Sequence, residues 1–146
     1  MRKRTMEISI LAFSLKNHNK GVRQAAAALT LTEMHFKPLP IRIVEYIYII
    51  SLFLRGKSYL SVTAGISQIS LRHISKRTGI NGLGLLKVAV DARSCLDECC
   101  YVIGRSDNTS VSKLATTYNG KSTPYYRRLL DNNYERVGSI FEKLNR

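Results

Sequence analysis

Residues 21–35 read GVRQAAAALTLTEMH, and the fold class follows from how this stretch begins and ends. Its run of alanines has high helix propensity, which predicts a helix that continues to about Phe36. The following KPLP, residues 37–40, breaks this helix because proline lacks an amide hydrogen and its ring clashes with the preceding turn. A second, more apolar helix is predicted over about 40–54, where RGKS ends it. Both sides of the break are therefore predicted to be helical.

The rest of the chain continues the helical pattern and adds one short extended segment. Residues 59–63 alternate and include β-favouring side chains, which predicts a short strand. Thr78-Gly79 is a typical helix end, and Asp107 or Asn108 can cap the start of the next helix. Further helices are expected over 8–15, 69–78, 84–103, 109–118 and 122–144. The sequence thus predicts a mostly α fold with one small β element.

One domain is predicted over residues 1–146, since no repeat, low-complexity segment or linker interrupts the chain. Its 45% hydrophobic content excludes wholesale disorder. Residues 1–20 are either an extra helix of this domain or an N-terminal anchor. They begin with basic residues and a short apolar run, but Glu7 interrupts the run and no clear cleavage site follows. A signal peptide is therefore not indicated.

The chain is strongly basic, with a formal net charge of +13 at pH 7. Lysine and arginine are spread along the whole sequence rather than gathered in a tail, so we expect them to coat the folded surface. Such a surface attracts a polyanion: nucleic acid, anionic lipid or an acidic cell-wall polymer. Charge alone does not choose among these partners.

Residues 41–54 read IRIVEYIYIISLFL and raise the question of a membrane segment. Arg42 and Glu45 lie inside the run, which also falls short of the ~20 residues needed to span a bilayer. We therefore predict a buried core helix, with peripheral membrane contact as an open alternative. The three cysteines, Cys95, Cys99 and Cys100, are expected to pack as small apolar thiols.

Residues 61–69 read SVTAGISQI, a small and polar stretch on the predicted extended segment. Gly65-Ile66-Ser67-Gln68 resembles the Gly-Leu-Met-Gln-type motif that follows the catalytic glutamate in lytic transglycosylases and goose-type lysozymes. Residues 63–68 are also similar to a Thr-x-Gly-Ile-Gly-His-type motif of phage-type lysozymes. All of these belong to the lysozyme superfamily.

A second stretch, LATTYNGKSTPYYRRLL at 114–130, strengthens this resemblance. It is similar to the late motif of lytic transglycosylases, in which an apolar helix ends in Ala-x-Tyr-Asn before a glycine and another helix. Tyr118 and Asn119 match the Tyr-Asn pair, and in that family the tyrosine hydroxyl reaches toward the catalytic glutamate. Tyr125 and Tyr126 are expected either to stack on sugar rings or to pack in the core.

The resemblance, carried by scattered motifs over about 25–130, implies a lysozyme-like α+β domain whose small β element lines a cleft. It implies a peptidoglycan-cleaving muramidase of lytic transglycosylase type, acting on the glycan strand in the cell envelope or periplasm or after secretion. The sugar's own 6-hydroxyl or a water completes the reaction, and neither a cofactor nor a metal is expected. The implied substrate-binding residues are Thr63, Gly65, Ser67, Gln68, Tyr118 and Asn119.

The chemistry of glycoside cleavage requires a carboxylic acid that is still protonated near neutral pH, hence a glutamate in an apolar pocket. Glu33 lies at a predicted helix end before a break, where such enzymes place the acid, and is our first candidate. Glu45 is the alternate, since its spacing to Gly65 is more typical of the family. Glu45 could instead pair with Arg42 as a structural group.

The competing interpretation is a basic helix-turn-helix nucleic-acid-binding protein. ISLRHISKRTGING, residues 69–82, resembles the first helix and turn of that motif, with Arg72, Lys76 and Arg77 near phosphates. The segment expected to be the recognition helix is apolar at its start and acidic later, so it offers few side chains that read base edges. Nucleic acid is a predicted partner under this alternative only.

Overall fold

The computed structural model describes the backbone of residues 2–105, 110–119 and 123–146, and the side chains of residues 3–105, 110–116 and 123–146. Within these ranges the prediction of a mostly α fold with one small β element is confirmed. The elements in chain order are α1 (Arg2–Ser14), α2 (Lys20–Phe36), α3 (Leu39–Leu54), β1 (Thr63–Ala64), β2 (Ile69–Ser70), α4 (Leu71–Thr78), α5 (Gly84–Val90), α6 (Ala92–Arg105), α7 (Val111–Asn119) and α8 (Pro124–Leu144).

Helix α2 is the central element, and α1, α6 and α8 pack around it. Its four alanines, 25–28, are fully buried, and their small side chains let neighbouring helices come close. Against α8 the approach is so close that a Cβ on Gly138 would lie 2.6 Å from Gln24 Nε2. That amide donates to the backbone oxygen of Tyr134 on α8 at 3.0 Å.

Both ends of α2 follow from the local sequence. Asn19 caps the start, with its Oδ1 accepting from the backbone N–H of Val22 at 2.8 Å. The helix ends at Phe36, just before Pro38, and the N–H of Lys37 bonds the carbonyl of Glu33 at 2.8 Å. The break predicted at 37–40 thus places Glu33 in the last turn of a buried helix.

Several boundaries differ from the predictions. The predicted helix over 84–103 is two helices, because the backbone is extended at Asp91 and its carboxylate accepts from the N–H of Ser94 at 2.8 Å, as an N-cap does. The strand predicted at 59–63 lies later, as a hairpin at 63–64 and 69–70. Helix α1 begins at Arg2 rather than residue 8. The predicted caps Asp107 and Asn108 lie outside the described residues.

The prediction that residues 41–54 form a buried core helix is wrong. In α3 only Arg42 and Ile49 are buried, whereas Val44 is 64% exposed and Leu54 is 76% exposed. The side of α3 that faces the protein carries Arg42, Glu45 and Ile49, and on it Glu45 bonds Lys37 and Gln68. Within the described part of the chain, no helix has the length and apolarity required to cross a membrane.

The β element is a two-residue antiparallel hairpin in which Thr63 pairs with Ser70 and Ala64 with Ile69. Its turn is residues 65–68 and begins with Gly65 at φ +82°, a conformation that favours glycine. A Cβ on Gly65 would lie 2.5 Å from the carbonyl oxygen of Ala89 and 2.6 Å from Cys95 Sγ. The hairpin is therefore held tightly against the ends of α5 and α6.

Helix α6 buries polar and thiol side chains alike. Glu98 is 2% exposed and forms a bidentate ion pair with Arg77 of α4. The three cysteines are buried thiols, as predicted, and burial raises the pKa of Cys100 to about 12.

We expect Gly65→Ala to destabilise the protein by roughly 2–4 kcal/mol, because it adds both backbone strain and a collision with a fixed carbonyl. Gly79→Ala is the matched control. Gly79 also has positive φ, at +73°, but its Cβ would meet nothing within 4 Å, so only a strain of about 1–2 kcal/mol is expected. Urea unfolding monitored by circular dichroism measures both, and equal losses would contradict the close packing at Gly65.

Candidate active site

The carboxyl group of Glu33 lies half-buried at the end of α2. Tyr126, in the first turn of α8, donates its hydroxyl to Glu33 Oε1 at 2.5 Å. The Tyr126 ring is itself buried and stacks on Phe36, with centroids 5.4 Å apart. Helices α2 and α8 thus fix the carboxyl from two sides.

The pKa of Glu33 is raised above its ordinary value, mainly because burial penalises the charged form. The hydrogen bond from Tyr126 and the positive charge of Lys37 lower this pKa, and the nearby carboxylate of Glu45 raises it further. The net result is a carboxyl that retains its proton to higher pH than an exposed glutamate. A raised pKa is the direction of change that lets a carboxyl act as a general acid closer to neutral pH.

A second carboxylate, that of Glu45, enters the same site from the inner side of α3. Lys37 donates to Glu45 Oε1 at 2.5 Å and to Gln68 Oε1 at 2.7 Å, while Gln68 Nε2 donates to Glu45 Oε2 at 2.9 Å. These three side chains form a closed ring of hydrogen bonds, which we call the Lys37 ring. Glu45 therefore bonds Lys37 and Gln68, whereas the sequence had suggested Arg42.

The hairpin turn supplies the Gln68 side of this ring. Gln68 has a positive φ of 52°, and its amide also donates to the carbonyl of Gly65 at 3.0 Å. Thr63 Oγ1 donates to Gln68 Oε1 at 3.0 Å. A non-glycine residue in this conformation is strained, and such strain clusters at functional sites. The hydrogen bonds hold the amide in one orientation beside Glu45.

The predicted substrate residues do not all face the site. Thr63 is half-buried at the edge of the site, whereas Gln68 is 6% exposed and its amide is bonded within the protein. Ser67 is fully buried, and its hydroxyl bonds that of Thr30 at 2.6 Å, which ties the hairpin to α2. Gly65 is buried against α5 and α6. Ser67 and Gly65 therefore support the turn from behind.

Tyr118 and Asn119 end helix α7, and their side chains lie outside the described residues. The tyrosine that contacts the candidate acid in the structure is Tyr126. Sequence reasoning noted Tyr125 and Tyr126 only as sugar-stacking or core residues. The available signal was that both tyrosines lie at the start of a helix predicted from 122. Consecutive side chains on a helix point in different directions, so one of the two can face the protein while the other faces solvent.

Exposed aromatic rings lie next to Glu33. Tyr125 is 57% exposed and donates or accepts a hydrogen bond with His35 Nε2 at 3.0 Å. Phe36 is 40% exposed and meets the Tyr125 ring edge-on at 5.9 Å between centroids. Such rings present flat apolar faces that can pack against the faces of a sugar. In the described part of the chain, no three His, Cys, Asp or Glu side chains form a group that could hold a metal ion.

Comparison with known proteins adds no relative: no family model, no curated protein and no solved structure matches the chain. The likeness to the lysozyme superfamily therefore stays a prediction from short motifs. Function is argued below from the geometry of Glu33, the Lys37 ring and the hairpin turn.

The raised pKa of Glu33 makes a prediction about stability and pH. The folded state keeps the Glu33 proton at pH values where the unfolded chain has lost it. The stability that this proton contributes to the folded state is fully present below the pKa of Glu33 in the unfolded chain. It is lost as the pH rises through the higher pKa of the folded state. Glu33→Gln keeps an oxygen acceptor for Tyr126 but cannot ionise. We expect it to unfold at a higher temperature than the wild type at about pH 8 and to lose this advantage near pH 4.

The control is Glu142→Gln, which removes an exposed carboxylate on α8. Thermal unfolding followed by circular dichroism across the pH range measures both variants. A Glu33→Gln difference that is the same at both pH values would contradict a raised pKa at this site.

Proposed function

We propose that the protein cleaves the glycan strand of peptidoglycan, as a muramidase of lytic transglycosylase type, with Glu33 as general acid and base. The observation that carries the proposal is a half-buried carboxyl with a raised pKa near a second carboxylate, which in turn bonds a strained hairpin turn. The two glutamates that the sequence offered as alternatives belong to one site. Their different partners, Tyr126 and Lys37, suit them to different tasks.

In the proposed reaction Glu33 gives its proton to the glycosidic oxygen as the bond to the anomeric carbon breaks. The sugar ring then carries positive charge, which the Glu45 carboxylate stabilises from the opposite side of the site. The sugar's own 6-hydroxyl attacks the anomeric carbon and loses its proton to Glu33, which yields a 1,6-anhydro end. If water attacks instead, Glu33 takes a proton from it and the end is hydrated.

Substrate contacts follow from the surroundings of Glu33. The exposed rings of Phe36 and Tyr125 supply packing surfaces for sugar faces on the α2–α8 side. On the hairpin side the hydroxyl oxygen of Thr63 can accept from sugar hydroxyl and N-acetyl groups, while the fully bonded Gln68 amide holds Thr63 and Glu45 in place. The basic surface suits a wall polymer that bears carboxylates and phosphates. The proposed action on this polymer takes place in the cell envelope or outside the cell.

The alternative of nucleic-acid binding has one supporting observation. Helices α4 and α5 are joined by a turn whose Gly79 adopts the left-handed conformation and caps α4, as a helix-turn-helix requires. The second helix, GLLKVAV, has Lys87 as its one polar side chain. It therefore offers little to read base edges, and we rank this function second.

Turbidity loss of purified peptidoglycan measures the proposed activity. We expect Glu33→Gln to lower the rate by about 10²–10⁴-fold, because proton donation is lost while the hydrogen bond from Tyr126 is kept. Glu142→Gln should clear walls at the wild-type rate. No clearing by the wild type would contradict the proposed function, and equal clearing by Glu33→Gln would contradict the assigned acid. Mass spectrometry of the fragments distinguishes anhydro from hydrated ends.

The hydrogen bond from Tyr126 makes a second prediction about the same activity. Since this bond lowers the pKa of Glu33, Tyr126→Phe should raise that pKa and move the alkaline fall of activity to higher pH. Tyr125→Phe loses only a contact with His35, so the pH of its alkaline fall should stay that of the wild type. A shift toward lower pH in Tyr126→Phe would contradict the assigned role. The pH profile of wall clearing measures both.

A further inference from the structure

The outer side of α3 is an apolar surface in contact with solvent. Arg42 and Glu45 point toward the protein, whereas aliphatic and aromatic side chains of the same helix point toward solvent. This is the reverse of the usual arrangement on a surface helix. Val44 and Ile47 are each more than 60% exposed. We call this surface the α3 face; it consists of Leu39, Ile41, Ile43, Val44, Ile47, Tyr48, Ile50, Phe53 and Leu54.

The apolar surface continues beyond α3 onto the loop that precedes α5. The Phe53 ring lies 3.5 Å from where a Cβ on Gly82 would stand, and it packs edge-on against Tyr59. Next to Gly82, Leu83 is 44% exposed and Ile80 is 36% exposed. Large exposed apolar patches of this kind mark interaction sites in proteins.

Exposed cations follow this surface along the chain, and acidic groups are nearly missing from its part of the sequence. Residues 37–90 contain eight lysines and arginines but one acidic residue, Glu45, which is bonded to Lys37. Arg55 and Lys57 are exposed directly after α3, and Lys87 is exposed on α5. The surface therefore combines apolar side chains with cations at its rim.

We propose that the α3 face docks on the surface of an anionic lipid bilayer, with α3 lying in the headgroup region and its rim cations on lipid phosphates. A helix of 16 residues is about 24 Å long and stops short of a full span, so it lies in the interface rather than across the membrane. Tyr48 has the amphipathic ring that the headgroup level favours.

The charge argues for lipid over the other occupants. A second copy of this chain would bring the same cations against the rim, and like charges oppose that contact. A glycan strand presents hydroxyl and carboxylate groups, which do not remove aliphatic side chains from water. An anionic bilayer satisfies both the apolar centre and the cationic rim. The inference goes beyond the proposed function and does not depend on it.

The chain contains no tryptophan, so one introduced tryptophan reports on its own surroundings. Val44→Trp places the reporter on the α3 face, and Ile10→Trp places it at an exposed site of α1, which packs on α2, α6 and α8. The full chain is mixed with vesicles of phosphatidylcholine alone or with about one third phosphatidylglycerol. We expect a blue shift for Val44→Trp with the anionic vesicles, weakened by salt, and none for Ile10→Trp.

Vesicle co-sedimentation of a Val44→Glu/Ile47→Glu variant is the second measurement. We expect binding to anionic vesicles to fall by about tenfold or more, while Ile10→Glu binds as the wild type does. Both sites are exposed, so neither variant should unfold, which circular dichroism verifies. The proposal is overturned if the wild type does not bind anionic vesicles or if both tryptophans shift equally. It is also overturned if the wild type binds no vesicles and sedimentation velocity shows a dimer that Val44→Glu/Ile47→Glu converts to monomer. Wall clearing is measured separately, so its failure would leave this result intact.

Discussion

The enclosure of α2 is the constraint on which the rest of the structure depends. Because its alanines are buried on all sides, this helix cannot shift or rotate without opening the contacts with α1, α6 and α8. Its last turn presents Glu33, and two of its buried threonines hold the surroundings in place. Thr30 bonds Ser67 of the hairpin turn, and Thr32 accepts from Asn133 of α8 at 3.0 Å. The candidate site is thus assembled on one rigid helix.

Lys37 gives the site its asymmetry. It lies just after α2, and its ammonium group bonds the Glu45 carboxylate directly and acts on the Glu33 carboxyl through its charge. Of the two carboxyl groups, that of Glu33 is half-buried with a pKa raised by burial, and that of Glu45 is bonded to the Lys37 cation. Neighbouring carboxyl groups with different environments are the arrangement that acid–base chemistry uses. The Lys37 ring leaves these partly buried polar groups hydrogen-bonded, which limits its cost to folding.

The sequence predicted the fold class because helix propensity, prolines and caps act over a few residues, as at Asn19 and Pro38. The sequence could not predict which side of α3 faces the protein. A run of aliphatic residues is compatible with a buried helix, but it does not say which side is covered or by what. The sequence identified both Glu33 and Glu45, but as alternatives for one role. They come close together because of the turn between α2 and α3, whose geometry the sequence does not give. Tyr126 was missed because its contact with Glu33 joins residues that are 93 positions apart in the sequence.

The buried thiols of α6 have a consequence for where the chain can remain folded. Burial raises the pKa of Cys95 and Cys100, so little thiolate is present to attack an oxidant or another disulfide. The folded protein therefore responds little to the redox state of its surroundings through these thiols. Thiol–disulfide exchange becomes feasible only after α6 leaves the core. Because Cys95 Sγ packs against Gly65, oxidation at that sulfur would displace the very turn that orients Gln68.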